Sequence, residues 1–219
     1  MTVLRLEDGA RALLFDMDGT LYTNGEYLRS QIDLPVRRLA ERRGLSFEAM
    51  SAGIAAYRER WEAAHGGRKT SLGHVFQAFG VSMEENIRWR EDLYEPERYL
   101  ERDERLRHIL RILSGGEGRP AFALAVVTNN PLSIARRTLA ALGVEDLFPV
   151  IVALDTCGVS KPHRAPYLKA AELLGVPASS CVSVGDRYDV DIAVPLELGM
   201  GGILVEGVEE VYGLTRLFP

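Results

Sequence analysis

The sequence predicts an α/β protein with a doubly wound parallel sheet and a smaller, all-helical domain inserted near its start. Two observations carry this prediction. From about residue 101 onward, short apolar segments alternate with amphipathic helices, as they do in a parallel sheet covered by helices. Before that, roughly a hundred residues show helical periodicity only, several times the length of a usual connection between parallel strands.

Five short, mainly apolar segments are predicted as strands. They are residues 12–15, 121–128, 150–153, 181–185 and 202–205. A continuous apolar run that is too short for a helix is typical of a strand buried on both faces. These segments therefore indicate the strands of a parallel sheet.

Helices are predicted between the later strands. One is expected to begin behind Asn130 as its N-cap, with Pro131 as its first residue, and to end at Gly143. Another ends at Gly175. Parallel strands that alternate with helices are joined by right-handed crossover connections, so the pattern predicts a doubly wound sheet.

Residues 22–100 are predicted to form the inserted helical domain, which leaves residues 1–21 and 101–219 for the core. Apolar side chains recur at helical spacing from Phe47 to Trp61 and again from Val75 to Phe79. The insertion begins a few residues after the acidic pair described below, so we expect it to act as a lid over a site. The alternative is a helical addition that only adds stability.

Composition excludes several classes of function. The formal net charge is −5, so no overall basic surface favours nucleic acid, and paired arginines are explained as solvated helix faces. No apolar run reaches the ~18 residues of a membrane span, and the first ten residues lack the apolar region of a secretory signal. The two cysteines form neither a disulfide framework nor a metal-ligand spacing. We expect a cytoplasmic protein, monomeric or homodimeric, that acts on a small molecule.

The first strand is followed at once by two acids, Asp16 and Asp18, and then by Gly19 and Thr20. The carboxyl ends of parallel strands form the edge where open α/β sheets bind ligands. Two carboxylates so close repel each other. A hard cation, or a division of labour between nucleophile and acid/base, is the usual reason to keep them together.

Polar side chains also follow later strands. Thr128 and Asn129 end the second predicted strand, and Asp186 and Asp191 follow the fourth. Lys161 lies in the chain between the third and the fourth of these strands. Each has an ordinary explanation as a helix cap or a solvated lysine. Because all of them are predicted at one edge of the sheet, together they indicate a single site.

These residues resemble the four motifs of the haloacid dehalogenase-like (HAD) hydrolase superfamily, in the expected order. The matching residues are Asp16-Met17-Asp18-Gly19-Thr20, Thr128, Lys161 with Pro162, and Gly185-Asp186 with Asp191. The resemblance covers roughly residues 10–21 and 101–206. It implies a Rossmann-like core, with the insertion as a helical cap.

The resemblance implies a nucleophile and an acid/base among the aspartates. Asp16 would accept a phosphoryl group as an aspartyl phosphate, with Mg²⁺ held by Asp16, Asp186 and the backbone carbonyl of Asp18. As general acid and then base, Asp18 would protonate the leaving alcohol and activate water. Dehalogenases of the superfamily lack this second aspartate, so Asp18 favours a phosphatase or phosphomutase.

The remaining motif residues are implied to bind the phosphoryl group. Thr128, Asn129 and Lys161 would contact its oxygens, where the charge of the transition state is spread. Asp191 would act one shell further out and orient Lys161 or a metal-bound water.

The substrate is less sharply indicated. The position of the insertion resembles the phosphoglycolate phosphatase-like branch. Short strings at residues 15–22, 57–61 and 159–163 are similar to pyrimidine 5′-nucleotidase-type HAD proteins. We therefore expect a small phosphorylated metabolite, such as a pyrimidine nucleoside 5′-monophosphate. The alternatives are phosphoglycolate, a sugar phosphate, a phosphomutase reaction, and a phospho-accepting or relict binding module.

Several side chains of the insertion are candidates for substrate contact. They are Tyr57, Arg58, Trp61, His65, Arg68 and Lys69. Tyr57 and Trp61 belong to an apolar stripe, so packing is their alternative role. The polar tip from His65 has a solvated loop as its alternative. His163 is open between helix-start packing and contact with Lys161.

Overall fold

The computed structural model describes residues 1–6, 9–67, 69–116 and 121–218. The chain divides into two compact units, one of Met1–Asn24 with Pro96–Pro219 and the other of Gly25–Glu95. The first is an α/β unit and the second is helical. The helical unit lies inside the segment 22–100 that the sequence predicts as an insertion.

In its described residues, 25–67 and 69–95, the helical unit contains four α-helices, each built around apolar side chains at helical spacing. They are α1 (Gly25–Arg43), α2 (Phe47–Ala64), α3 (Leu72–Ala78) and α4 (Met83–Leu93). Serines 46, 71 and 82 cap the last three, since each hydroxyl accepts a 3.1 Å hydrogen bond from a backbone N–H in the first turn. Met50, Ile54 and Phe76 belong to the common core.

The described part of the α/β unit contains one sheet of six strands. They are β1 (Thr2–Arg5), β2 (Ala12–Phe15), β3 (Ala123–Val127), β4 (Val150–Val152), β5 (Cys181–Gly185) and β6 (Gly201–Leu204). Their order is β1-β6-β5-β2-β3-β4, and the pairs are parallel except β1 with β6. This confirms the predicted α/β class and its mainly parallel sheet.

Strand β2 is the centre of the sheet. Its four residues are buried, and Phe15 pairs with Val126 of β3 on one side and with Val184 of β5 on the other. Later strands of the chain lie on both sides of β2, so the strand order reverses at this strand. Open α/β sheets form their ligand crevice at the carboxyl end of such a strand. Asp16 is the next residue.

Within the described residues of this unit, six further α-helices accompany the sheet. They are α5 (Glu104–Leu113), α6 (Leu132–Ala141), α7 (Leu154–Cys157), α8 (Arg164–Leu174), α9 (Ala193–Glu197) and α10 (Val208–Val211). Tyr167 and Ala170 of α8 share a buried cluster with Ala125 and Val127 of β3. In the described part of the chain, no helix combines the length and apolarity needed to cross a bilayer.

The start of α6 differs from the prediction. Pro131, not Asn130, occupies the N-cap position, and the backbone N–H of Leu132 donates to Asp155 Oδ1 at 3.0 Å. Asp155, which lies in another segment, therefore accepts a hydrogen bond from one of the backbone N–H groups that a helix leaves unpaired at its start. This leaves the Asn130 side chain for a different contact. The predicted stop at Gly143 is confirmed, because that residue has φ +72° directly after the helix.

Candidate active site

Asp16 lies directly beyond β2 and is paired with Lys161. Asp16 is 5% exposed and Lys161 is 1% exposed. Lys161 Nζ donates to Asp16 Oδ1 at 2.5 Å and to Asp191 Oδ1 at 2.7 Å. The structure thus brings three predicted site residues from separate segments into one buried ionic cluster.

Burial and charge act against each other in this cluster. Burial raises the pKa of the Asp16 carboxyl, and the neighbouring Lys161 ammonium opposes that rise. Burial alone would lower the pKa of Lys161, but the charges of Asp16 and Asp191 outweigh it, so that its pKa is raised. Lys161 therefore stays cationic throughout the physiological range.

The backbone of Lys161 is held by Asn129. The Asn129 amide oxygen accepts a hydrogen bond from Lys161 N at 2.7 Å, and its Nδ2 donates to Lys161 O at 3.2 Å. The peptide bond from Lys161 to Pro162 is cis. Asn129 thus orients the lysine, while its predicted contact with phosphate stays a prediction.

His163 caps α8. Its Nδ1 accepts a 3.1 Å hydrogen bond from Ala165 N at the start of that helix. Of its two expected roles, the structure shows the one at the helix start.

Asp18 has partners of a different kind from those of Asp16. Tyr22 OH donates to its Oδ1, and Asn130 Nδ2 donates to its Oδ2 at 2.9 Å. These donors are neutral, whereas Asp16 faces an ammonium. Two carboxylates in unlike environments are suited to different tasks, one as a nucleophile and one as an acid/base.

Asp186 and Asp191 bring further carboxylate oxygens close to Asp16. Carboxylate oxygens of Asp16, Asp186 and Asp191 lie within 4.8 Å of one another. Both oxygens of Asp191 are engaged, Oδ1 with Lys161 and Oδ2 with the backbone N–H of Arg187 at 3.1 Å. Oδ1 of Asp186 is buried and has no hydrogen-bond partner among the residues that the structure describes. Asp191 is therefore placed to orient its neighbours, and Asp186 is placed to ligate.

This acidic group fits a hard cation. Burial raises the pKa of Asp186 to about 7, with further increases from the charges of Asp16 and Asp191. A divalent cation removes that penalty, and its preferred ligands are carboxylate oxygens. Asp186 offers Oδ1 for this purpose, and Asp16 offers Oδ2, which accepts a long hydrogen bond of 3.4 Å from Thr20 Oγ1.

Gly19 allows a close approach to Asp186. Its φ is +84°, and a Cβ added there would lie 2.5 Å from Asp186 Oδ2. Any side chain at this position would be strained and would also push the Asp186 carboxylate. The glycine after the acidic pair is therefore required by the geometry of the site.

Gly19→Ala is expected to weaken Mg²⁺ binding by at least about tenfold and to destabilise the fold by about 1–2 kcal/mol. The backbone strain accounts for the stability loss, and displacement of Asp186 accounts for the metal. Calorimetric titration with Mg²⁺ and urea unfolding measure the two effects. Gly175→Ala is the matched control, since Gly175 has φ +68° and no atom within 4 Å of an added Cβ. Equal Mg²⁺ affinity in both variants would contradict this account.

Thr128 lies at the end of β3, the strand beside β2. It is 2% exposed, and its Oγ1 accepts a 3.1 Å hydrogen bond from Asn130 N. The hydroxyl proton can still be donated elsewhere. Among the described residues, Thr128 makes no hydrogen bond with the four aspartates. Its predicted contact with a phosphoryl oxygen stays a prediction.

The predicted contact residues of the insertion have neighbours within the helical unit. Tyr57 OH lies 3.2 Å from His74 Nε2, and the rings of Trp61 and His65 stack with centroids 3.7 Å apart. The Trp61 and His74 rings are 4.3 Å apart. These contacts show packing for the aromatic stripe, and they include His74, which the sequence did not single out.

The other predicted residues of the insertion are less informative. Arg68 lies outside the described residues. Arg58 and Lys69, like Arg68, stay predictions as substrate contacts.

The structure adds three residues that the sequence did not identify as functional. Tyr22 and Asn130 hold Asp18, and Arg187 lies beside Asp186 with its Nε 3.9 Å from Asp186 Oδ1. The four-residue spacing from Asp18 to Tyr22 was the one available signal. The sequence does not indicate the contact of Asn130 with Asp18, because an asparagine before a helix normally caps that helix.

Comparison with known proteins identifies relatives of this chain. The family profile of haloacid dehalogenase-like hydrolases matches residues 10–199. The phosphoglycolate phosphatase of Aquifex aeolicus is 30% identical over 183 residues, which cover 83% of this chain and 78% of that protein. The phosphoglycolate phosphatase of Colwellia psychrerythraea is 40% identical over 65 residues, 30% of this chain and 29% of that protein. That second match therefore spans less than a third of the relative.

Solved structures share the fold. A HAD phosphatase from Thermococcus onnurineus has a TM-score of 0.61 at 21% identity and covers 94% of this chain and 97% of its own. At that identity the likeness shows the fold alone. The family profile and the long Aquifex match establish that this chain belongs to the haloacid dehalogenase-like hydrolase family.

Proposed function

We propose that this chain is a Mg²⁺-dependent phosphatase that hydrolyses a small phosphate monoester, with Asp16 as the residue that accepts the phosphoryl group. One observation carries the proposal. A buried carboxylate is paired with a buried ammonium, and it lies beside an acidic group in which one buried carboxylate oxygen has no hydrogen-bond partner among the described residues. This combination of a nucleophile, a cation and a metal site suits phosphoryl transfer.

Asp16, Asp186 and the backbone carbonyl of Asp18 would hold Mg²⁺. The ion supplies neutralisation of charge when a phosphate dianion approaches the acidic edge of the sheet. Lys161 adds a fixed positive charge and, with Thr128, binds phosphoryl oxygens.

The residues then divide the reaction between them. An Asp16 carboxylate oxygen forms a bond to phosphorus as the bond to the leaving oxygen breaks, and Asp18 gives its proton to that oxygen. Asp18 next takes a proton from the water that attacks the aspartyl phosphate. Inorganic phosphate leaves, and Asp16 regains its carboxylate. Tyr22 and Asn130 hold Asp18 in position for both proton transfers.

Asp18→Asn is expected to lower turnover of an alkyl phosphate by roughly 10²–10⁴-fold. With p-nitrophenyl phosphate, whose leaving group needs no proton, formation of the aspartyl phosphate is expected to fall far less. A rapid burst of p-nitrophenol followed by slow turnover is the expected trace in rapid-mixing experiments. Asp189→Asn serves as control, because Asp189 is an exposed acid of the neighbouring turn. Equal losses in the rate of aspartyl-phosphate formation for the two leaving groups would contradict the role of Asp18 as acid, and the absence of a slow phase after the burst would contradict its role as base.

Phosphoglycolate is the substrate that the relatives favour. Curated relatives named phosphoglycolate phosphatase support this alternative better than they support the pyrimidine nucleotide expected from short strings. A screen of phosphoglycolate, pyrimidine nucleoside monophosphates and sugar phosphates, each with Mg²⁺ and with chelator, tests it through released phosphate. Preference for phosphoglycolate and loss with chelator are the expected results. Preference for a pyrimidine monophosphate would reverse this choice of substrate.

A phosphomutase reaction on the same aspartate remains the second candidate. It would use the same proposed aspartyl phosphate, which can return its phosphoryl group to another hydroxyl of the substrate. Isomerised sugar phosphate in the same screen would reveal it. Cytoplasmic location, a monomeric or homodimeric state and the lid role of the insertion remain predictions.

A further inference from the structure

Arg187 is a cation beside the acidic group of Asp16, Asp186 and Asp191. The proposed phosphatase reaction gives this arginine no role. Its backbone N–H donates to Asp191 Oδ2 at 3.1 Å, which fixes the start of its side chain. Its Nε lies 3.9 Å from Asp186 Oδ1, and its side chain is 54% exposed. Burial lowers the pKa of the Arg187 guanidinium, but the charges of Asp191, Asp16, Asp186 and Asp18 outweigh it, so that the pKa is raised. The guanidinium is thus within electrostatic range of the whole acidic group.

Arg187 and Lys161 differ in their exposure to solvent and in their hydrogen bonds. Lys161 is 1% exposed and its ammonium already donates to Asp16 and Asp191. In the part of the chain that the structure describes, the Arg187 guanidinium donates no hydrogen bond, since 3.9 Å to Asp186 is too long for one. Its five N–H donors are open to a ligand that comes from solvent.

A guanidinium takes an anionic ligand, and the surrounding charges leave room for one. Four aspartates face two cations, Lys161 and Arg187, so that a bound divalent cation would leave the edge near neutrality. A buried lysine serves the transferred phosphoryl group, which must reach Asp16. The half-exposed Arg187 guanidinium can contact a part of the substrate that stays outside the buried cluster. Guanidinium geometry matches a carboxylate, which it binds through two parallel hydrogen bonds.

We propose that Arg187 determines specificity by binding a carboxylate on the leaving-group half of the substrate. The substrate class is therefore the phosphate monoesters of small hydroxy acids. This inference rests on the proposed phosphatase function and adds to it a residue and a reason for the choice of substrate.

The test compares two esters that differ in one group. Phosphoglycolate carries a carboxylate where 2-hydroxyethyl phosphate carries a neutral hydroxymethyl group. Arg187→Gln is expected to lower kcat/KM for phosphoglycolate by about 10- to 100-fold, mainly through KM, as for the loss of a hydrogen-bonded charge. For 2-hydroxyethyl phosphate the change is expected to stay within about threefold. Arg187→Lys is expected to recover part of the loss, because it restores charge without the paired geometry.

Arg136→Gln is the matched control. Arg136 is 57% exposed and forms an ion pair with Glu145, so its loss removes a surface charge of similar exposure. No change with either ester is expected for this variant.

Other outcomes separate the two proposals. Equal losses for both esters in Arg187→Gln would overturn the carboxylate assignment while keeping the phosphatase, and so would no loss for either. If the wild-type enzyme hydrolyses neither ester, the proposed function fails, and calorimetric binding of the same two esters decides the role of Arg187. In that case, unchanged affinity for phosphoglycolate in Arg187→Gln would overturn it.

Discussion

Asp16→Asn is expected to reduce turnover of every phosphate ester by on the order of 10⁴-fold or more, because removal of a nucleophile removes the reaction path itself. The amide has no carboxylate oxygen to attack phosphorus. Lys161 keeps Asp191 as its partner at 2.7 Å, so the buried ammonium is not left alone. Steady-state phosphate release with Mg²⁺ measures the loss, and circular dichroism checks that the variant is folded.

Asp189→Asn is the matched control for this change as well. It makes the same substitution at an exposed acid in the turn after β5, and wild-type turnover is expected. If Asp16→Asn kept more than about one per cent of the activity, Asp16 would not be the nucleophile.

Lys161→Met is expected to destabilise the fold by about 3–5 kcal/mol at neutral pH, since it leaves Asp16 and Asp191 buried without their shared cation. The pH dependence has a definite sign. Unpaired buried carboxyls have raised pKa values in the folded state, so that their ionisation costs stability as pH rises above the unfolded value of about 4. The difference between variant and wild type should therefore shrink toward acid pH. Urea unfolding at several pH values measures it.

Lys169→Met is the control for this prediction. Lys169 forms an exposed pair with Glu172, with side chains 37% and 68% exposed, and its loss is expected to change stability by no more than about 0.5 kcal/mol. Adding Asp191→Asn to Lys161→Met should recover part of the loss, because one of the two unpaired charges is removed. Unchanged stability in Lys161→Met would show that the buried pair is not as the structure has it.

The sheet was predictable because its central strands are buried on both faces. Residues 12–15 and 181–185 are continuous buried strands, and the sequence predicts both with the bounds that the structure shows. Strand β1 was missed because all four of its residues are exposed, so that burial leaves no pattern in the sequence.

The acidic edge was predictable for a different reason. Asp16 and Lys161 are 145 positions apart, yet both follow elements of one parallel sheet. Once the strands are assigned, their carboxyl ends must lie at one edge.

The partners of Asp18 were not predictable from residue types. Asn130 lies before a helix, where an asparagine normally caps, and only the contact of Asp155 with Leu132 frees it for Asp18. Arg187 follows an acid in a turn and is indistinguishable in sequence from a solvated arginine. Such roles depend on contacts between distant segments, and one sequence does not contain them.

The most direct test of the account is to trap the phosphoryl enzyme. Wild-type protein is mixed with phosphoglycolate and Mg²⁺, quenched in acid within a single turnover, digested and analysed by mass spectrometry. A phosphoryl group on the peptide that contains Asp16, absent from Asp16→Asn, is the predicted result. With p-nitrophenyl phosphate, whose leaving group needs no proton, the phosphoryl group is predicted to last longer in Asp18→Asn than in the wild type. Substrate turnover with no phosphorylated peptide, or with the phosphoryl group on another residue, would contradict the assignment of Asp16 as nucleophile.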